Sequence, residues 1–282
     1  MTMTSTTVST VQAANTVSLK QLCNLKTQIH YLLGLSVMQE NDKKAMRGCI
    51  FQAEANDLFT KFLRISLLIM FCMYSFVLLR AFFGNILSNA LPNAITGIID
   101  FQGASGWTYQ LSQVFPGQAF WGHNVMAMSA FAMIYFQKLW VTPKYMNLRL
   151  HRIVGIILCV AAFVICITGV WMANFMVEPY GSLLVMSGSA QTIAGLIVSI
   201  IAVQAARQRD ILRHRFWANS AMHIWLADPI GLSVSKIILL FTHDYPGLIV
   251  YSGSVIGGSY FMIMFFYEGL RVRQLIHAKA HP

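Results

Sequence analysis

The sequence predicts an all-α, polytopic membrane protein with about six transmembrane helices around an antiparallel bundle core. Of its 282 residues, 56% are hydrophobic and only 11% are charged, which is typical of membrane proteins. Long apolar stretches recur, each at or above the roughly 20 residues that cross a ~30 Å hydrocarbon layer. No alternating ten-residue segments indicate a β-barrel, so helices are the expected spanning structure. The predicted spans are 62–87, 119–141, 153–177, 182–206, 216–241 and 248–267.

The distribution of basic residues predicts the orientation of these spans. Of the 20 lysines and arginines, 18 lie in the terminal regions, in alternate connections or at the adjoining ends of spans, all on one predicted side, and the other two, Arg80 and Lys236, lie inside spans. The intervening connections, 88–118, 178–181 and 242–247, contain no lysine or arginine. By the positive-inside rule, both termini are expected to face the cytoplasm, or the matrix in a mitochondrial membrane. The membrane is then a plasma membrane or an organelle inner membrane.

Three regions follow along the chain. Residues 1–60 form a cytoplasmic amino-terminal region, 61–270 the transmembrane domain, and 271–282 a cytoplasmic tail. Residues 1–18 lack an apolar run, so we expect no secretory signal peptide and partial disorder. From 17 to 33 the apolar residues recur at three- and four-residue spacing, which predicts an amphipathic helix on the membrane or against the bundle. These apolar residues are Leu19, Leu22, Leu25, Ile29 and Leu32.

The net charge of +10 is spread over the connections at the predicted membrane surface. Anionic lipid headgroups are therefore the expected partner, at about 1 kcal/mol for each basic residue near the surface, and nucleic acid is not. An oligomer and a redox partner protein remain open. The five cysteines include no CxxC pair and none in a predicted outer connection, so we expect no disulfide framework.

Small residues predict where helices approach closely. The fourth span carries Gly188, Thr192, Gly195 and Ser199 along one stripe, and the sixth carries a glycine pair at 253 and 257. Such spacing allows close packing of helix backbones. Because the last four connections are short, spans two to five are expected to form an up-down bundle with sequential neighbours in contact.

The histidines sort by predicted depth. His151 opens the third span and His214 precedes the fifth, so both are expected at the inner interface. His123 and His243 are expected at the outer one. His223 lies nine residues after His214, or roughly 13 Å deeper in the helix.

A haem held by two neutral imidazoles needs histidines at similar depth on facing helices. His151 and His214 are the predicted metal ligands of a haem b, and His123 with His243 form a weaker second pair. The adjacent Arg152 and Arg215 are expected to pair with haem propionates. In the alternative interpretation, the inner histidine-arginine pairs only bind lipid phosphates, and His243 caps a turn.

The fifth span contains three ionisable side chains, His223, Asp228 and Lys236, within one apolar segment. Each charge costs on the order of 3 kcal/mol there, so they are expected to face the bundle interior. Pro229 is expected to break this helix beside Asp228. His223 and Asp228 are therefore candidate catalytic residues. In the alternative interpretation, Asp228 only forms a hydrogen bond to a neighbouring helix and Lys236 extends toward the outer interface.

The tail contains an HxxxH match, His277 and His281. Because we expect this tail to be disordered, the match is not assigned a metal. The chain lacks the GxSxG, P-loop and HExxH motifs.

The segment from 123 to 236 resembles a family of predicted membrane proteins of unknown function, found in bacteria, fungi and algae. Its shared features are a histidine and a glutamine in one span, a His-Arg-x-x-Gly helix start, and an Arg-x-x-Asp connection before His-Arg-x-Trp. Here these are His123, Gln137, the segments 151–155 and 207–210, and the segment 214–217. The resemblance implies six to eight helices, and its histidine layout is similar to that of two-haem b-type cytochromes. His223, Asp228 and Pro229 depart from the apolar residues expected there.

Three functions are therefore open. The first is a membrane haem-b redox protein or a membrane subunit of a redox complex. The second is a transporter or proton-coupled carrier that uses His223, Asp228 and Lys236. The third is an integral membrane enzyme, cyclase-like, that acts on a lipid-soluble substrate with Asp228 as general acid. The first predicts a reducible absorption band, the second a flux in liposomes, and the third a lipid-soluble product.

Overall fold

The computed structural model describes residues 15–56, 148–175, 182–239 and 246–281, together with eight residues between 126 and 137 and three between 65 and 72. Most of the predicted first span and the connection 88–118 lie outside these residues, as do His123 and His243. The side chains of Asp228, Pro229 and Lys236 are also outside the description, although their backbone is helical.

The described chain is mostly helical. Helices α1 (Leu25–Leu32) and α2 (Glu40–Asn56) belong to the amino-terminal region. Four long helices follow: α3 (Leu148–Phe175), α4 (Ser182–Arg207), α5 (Ile211–Leu239) and α6 (Pro246–Ala280). The described residues between 126 and 137 are helical as well. The last four predicted spans thus correspond to α3, α4, α5 and α6.

Two of these helices are long and apolar enough to cross a membrane, over Arg149–Trp171 in α3 and Gly188–Arg207 in α4. Only 28% and 22% of their most apolar segments are buried within the protein. Ile156 on α3 is 64% exposed, and Ile197 on α4 is 51% exposed. Both helices expose several large apolar side chains. This exposure favours contact with lipid, because a core helix of a soluble protein buries such side chains.

The long helices pack as sequential neighbours, as predicted. Gln191 of α4 donates to the carbonyl of Ile224 in α5 (3.1 Å), and further back along α5 His214 bonds the carbonyl of Ala202. Residues later in α4 thus contact residues earlier in α5, so the two helices are antiparallel. The pairs Phe216 with Phe265 and His223 with Tyr260 show that α5 and α6 are antiparallel too.

Close approach between α5 and α6 occurs at glycines. A methyl group added to Gly231 of α5 would lie 2.0 Å from the carbonyl oxygen of Gly253 and 2.8 Å from the amide nitrogen of Gly257. The predicted packing role of the glycine pair in α6 is therefore confirmed, and Gly231 is the partner that sequence analysis missed. In α4, a methyl group added to Gly195 would lie 2.9 Å from the indole of Trp225, whereas one added to Gly188 would meet nothing within 4 Å.

The amino-terminal region docks against the bundle. Strands β1 (Asn15–Val17) and β2 (Ser36–Met38) form a small parallel sheet, the one departure from an all-α fold in the described residues. Side chains from this region share one apolar core with α5 and α6, and that core includes Leu22, Met38, Met46, Ile50, Leu212, Phe216, Val272 and Ile276. Of the two placements left open by the sequence, the structure shows contact with the bundle.

The helix predicted over 17–33 is only partly present. Residues 15–17 form β1, Gln21–Cys23 form a 3-10 helix, and α1 begins after Asn24, whose side chain caps the amides of Lys26 and Thr27. Leu22 and Leu32 are buried, but Leu25 and Ile29 are exposed. The prediction of one continuous helix with a single apolar face was wrong, because the backbone at Asn24 is extended and separates the 3-10 helix from α1.

Two further expectations differ from the structure. Helix α6 continues without a break across the predicted boundary at 270 and 271 and ends at Ala280, so the tail expected to be disordered is helical. Helix α5 also continues through Pro229 without interruption. A proline removes one backbone donor, and packing on α4 and α6 holds the helix through that loss.

Candidate functional site

His151 and His214 lie at the same end of the bundle. Each is the fourth residue of its helix, α3 and α5 respectively. Both rings are partly buried, their centroids are 6.1 Å apart, and their planes are nearly perpendicular at 89°. The structure therefore brings together the two residues that the sequence placed at one depth. Their predicted role as metal ligands stays a prediction.

A hydrogen bond orients the ring of His214. Its Nδ1 lies 2.8 Å from the carbonyl oxygen of Ala202 in α4. Because a carbonyl only accepts, Nδ1 carries a proton and donates, and in the neutral ring Nε2 then carries the lone pair. Histidines that bind metals are commonly held this way through their second nitrogen.

The turn between α4 and α5 fixes where α5 begins. Arg209 has φ 56°, in the left-handed region that non-glycine residues seldom adopt, and this conformation reverses the chain within three residues. Asp210 follows, and its carboxylate accepts from the backbone amide of Arg213 (3.1 Å), capping the helix start. The same carboxylate oxygen, Oδ1, also accepts a hydrogen bond from the hydroxyl of Tyr31. His214 thus lies in the first turn of a helix whose start is held by Asp210, which bonds both Arg213 in that turn and Tyr31 in the amino-terminal region.

Gln137 attaches the preceding helical segment to α3. Its Nε2 donates to the backbone carbonyl of His151 (2.7 Å). This contact places the described residues between 126 and 137 beside the histidine pair.

An apolar cavity of about 160 Å³ extends from the histidine pair into the bundle. We call it the bundle cavity. The 126–137 segment, α3, α4 and α5 all contribute to its wall, so α3 and α5 face each other across it. Its lining includes Ala130, Ile134, Gln137, His151, Gly155, Leu158, Ala162, Ile165, Ser199, Ala202, His214, Asn219, Met222 and Trp225. From His214 to Trp225 is roughly 16 Å along α5.

The histidine spacing fits a metal between the rings. An imidazole nitrogen lies about 2 Å from a bound metal, so two rings on opposite sides of one metal have centroids roughly 6 Å apart. The observed centroid distance of 6.1 Å meets this length requirement, and the perpendicular rings also form an edge contact with each other. The cavity volume is close to that of an engineered cavity of ~150 Å³ that holds benzene. A porphyrin therefore enters only if lining side chains rearrange.

The two arginines next to these histidines differ in exposure. Arg152 is exposed, whereas Arg215 is 6% exposed. Neither lines the bundle cavity among the described residues. Their predicted pairing with propionates remains a prediction. The predicted outer pair, His123 and His243, lies outside the described residues.

His223 faces α6, away from the cavity. Nine residues of α-helix correspond to roughly half a turn beyond two full turns, so His223 and His214 occupy opposite sides of α5. His223 is fully buried, and its Nδ1 lies 2.8 Å from the hydroxyl of Tyr260. Its Nε2 lies 3.9 Å from a carboxylate oxygen of Glu268, which in turn is 4.0 Å from Arg271.

Of this buried network, the sequence indicated only the first member, His223. It paired His223 with Asp228 and Lys236, whose side chains are not described. One available signal was missed: Glu268 is the only acid after Asp244 and directly follows the sixth predicted span. An acid at that position needs a partner, and the structure supplies one from α5.

Comparison of the chain with protein-family models, curated proteins and solved structures finds no match. The function is therefore inferred from side chains and their geometry.

Proposed function

We propose that this chain is a multi-pass membrane protein that binds haem b between His151 and His214 and carries electrons through the bilayer. The observation that carries this proposal is the pair of rings 6.1 Å apart at the start of two facing helices. Two imidazoles from different helices on one axis are a common way to hold haem in a helical bundle.

The surroundings of the pair support the same function. The hydrogen bond to the carbonyl of Ala202 places the proton of a neutral His214 ring on Nδ1, so that Nε2 would be the nitrogen that binds iron. The wall of the bundle cavity is mostly apolar, as suits a hydrophobic bound group. Gln137 holds the helix that closes one side of the cavity. Haem, when bound, supplies reversible one-electron transfer, and the protein supplies ligands, orientation and exclusion of water.

The membrane arrangement belongs to the same proposal. The proposed six spans and cytoplasmic termini rest on the distribution of basic residues in the sequence. The exposed apolar side chains of α3 and α4, the two helices long and apolar enough to cross a membrane, are consistent with contact with lipid. In this orientation His151 and His214 lie at the inner surface, where Arg149 and Arg152 are exposed to anionic headgroups. An electron donor would reach the site from that side.

An optical spectrum tests this function. The full chain is expressed with haem supplied, purified in detergent, and measured before and after addition of dithionite. We expect a reducible haem band that is lost in His151→Ala and His214→Ala. His30→Ala, which changes an exposed histidine of α1, is expected to keep the band. Wild-type protein free of haem and iron, or a band that survives both substitutions, would contradict the proposal.

A second candidate function has its own observation, the buried network of His223, Tyr260, Glu268 and Arg271. Ionisable side chains buried between two membrane helices are typical of proton pathways. We propose a proton-coupled carrier as the alternative function of this chain.

Proton flux into liposomes tests the alternative. Glu268→Gln keeps the shape of the side chain but removes its charge, so flux is expected to fall at least tenfold. Glu40→Gln, on the exposed start of α2, serves as the matched control. Flux equal in Glu268→Gln and wild type would exclude this network as the pathway.

A further inference from the structure

Three side chains of types that commonly bind metals lie close together where the amino-terminal region contacts the end of α6. Cys23 ends the 3-10 helix Gln21–Cys23, and His277 and His281 lie at the carboxyl end of α6. The cysteine sulfur and one nitrogen from each histidine lie within 4.8 Å of one another. The ligands come from sequence positions more than 250 residues apart, so the tertiary fold assembles the group.

The two histidines are arranged as a chelating pair. They are four residues apart, and the amide of His281 still donates to the carbonyl of His277 (3.1 Å), so both occupy one face of a continuing helical turn. Their rings are nearly parallel, with centroids 6.3 Å apart. Histidines at this spacing on a helix face are a recurrent zinc-binding arrangement.

Cys23 is held in place independently of any metal. Leu22 beside it is fully buried in the core shared with α6. The amide of Leu19 donates to the carboxylate of Asp42 (2.8 Å), and Ser18 and Gln21 bond each other across the turn. The thiol itself donates weakly to the carbonyl of Leu19 (3.8 Å). The sulfur is therefore presented toward the end of α6 by a constrained backbone.

The distances and ligand types select the metal. Tetrahedral zinc places sulfur and nitrogen ligands roughly 3.4 to 3.6 Å apart. Side-chain rotations that move the ligand atoms by about 1 Å would therefore bring the three residues around one ion. One thiolate and two neutral imidazoles suit Zn²⁺, whereas Ca²⁺ and Mg²⁺ prefer oxygen ligands. Cys23 and His277 are half-buried and His281 is exposed, which leaves one side open for a water or an external ligand.

We propose that Cys23, His277 and His281 bind one Zn²⁺ ion that ties the amino-terminal region to the end of α6. The site is separate from the histidine pair and from the buried network on α5. It does not depend on which function the bundle performs.

Zinc binding to the full chain in detergent tests the proposal, with Zn²⁺ alone as the probe. We expect one ion per chain, measured by elemental analysis after dialysis and by calorimetric titration. Cys23→Ser, His277→Ala and His281→Ala are expected to weaken binding on the order of 100-fold or more, since even supporting residues around metal ligands contribute 10- to 100-fold. Cys72→Ser and His30→Ala, which change an exposed thiol and an exposed imidazole elsewhere, are the controls.

Cobalt substitution gives a second readout that reports the ligands directly. Co²⁺ in the site should show a thiolate charge-transfer band, which disappears in Cys23→Ser and persists in Cys72→Ser. His281→Ala distinguishes loss of the metal site from misfolding, because this exposed side chain at the end of α6 contributes little to the core and its removal should leave the fold intact. Wild-type protein without stoichiometric Zn²⁺, selective retention of copper instead, or unchanged affinity in Cys23→Ser and His281→Ala would overturn the proposal.

Discussion

The hydroxyl of Tyr31 donates a hydrogen bond to the carboxylate of Asp210, which lies 179 residues later in the chain. Tyr31 is fully buried, and Asp210 is 1% exposed. The same carboxylate caps α5 three residues before Arg213 and four before His214. The amino-terminal region therefore holds the helix start that carries one of the candidate ligands.

This contact predicts a loss of stability at high pH. Burial raises the pKa of Tyr31 well above its ordinary value of 10.0, and the negative charge of Asp210 and the hydrogen bond to it raise it further. The unfolded chain therefore releases this proton at lower pH than the folded chain does. The stabilising effect is complete below about pH 10 and is lost as pH rises toward the folded-state pKa.

Thermal unfolding of the detergent-solubilised protein measures this effect. Tyr31→Phe is expected to lose about 1–3 kcal/mol at neutral pH, because Asp210 loses a donor, and to show a shallower decline of Tm above about pH 10. Since the chain contains ten tyrosines, the comparison is between the two slopes. Equal slopes would show that Tyr31 titrates alike in both states.

The glycine crossing of α5 and α6 predicts a strong packing effect. Gly231→Ala places a methyl group 2.0 Å from the carbonyl oxygen of Gly253, so the helices must separate. We expect a loss of about 1–3 kcal/mol or more, seen as a lower Tm. Gly258→Ala, whose added methyl group meets nothing within 4 Å, should be neutral or slightly stabilising, since alanine is the better helix former. Similar effects of the two substitutions would contradict the close crossing.

A buried hydrogen bond from Trp217 of α5 connects the amino-terminal region to the bundle. Its indole nitrogen donates to the carbonyl of Leu32 (2.7 Å), and its ring packs against Phe216 and Phe265. Trp217→Phe leaves that buried carbonyl without its donor, at a cost of about 1–3 kcal/mol. Limited proteolysis of the first 60 residues should then accelerate. Trp171→Phe, at a position that is 47% exposed on α3, should leave the cleavage rate unchanged.

The bundle cavity can be filled without touching the histidines. Gly155 lines it, and its nearest neighbour to an added Cβ is the amide of Gln137 at 3.7 Å, an ordinary contact. Gly155→Leu should fill cavity volume and keep or raise Tm, because leucine replaces glycine in a helix. If haem binds here, its absorption band should be lost in this variant. Gly269→Leu on α6, where nothing lies within 4 Å, should keep the band.

The sequence predicted the relative depth of His151 and His214 because depth follows from helix length and from where apolar segments begin. It also predicted the sequential packing of the long helices, because short connections permit little else. It failed on partners across helices. The partner it missed is Glu268: whether this carboxylate of α6 reaches His223 depends on how α6 is rotated against α5, and the close crossing at Gly231 contributes to that rotation.

By itself, then, the sequence determined a helical chain rich in lipid-compatible surface and a pair of histidines at one level. Only the tertiary structure decided that the amino-terminal region seals the end of the bundle through Tyr31 and Trp217, and that Cys23 reaches His277 and His281. The physical reason is that local periodicity is set by hydrogen bonding and side-chain propensity within one segment. Contacts between distant segments are set by which apolar surfaces bury each other.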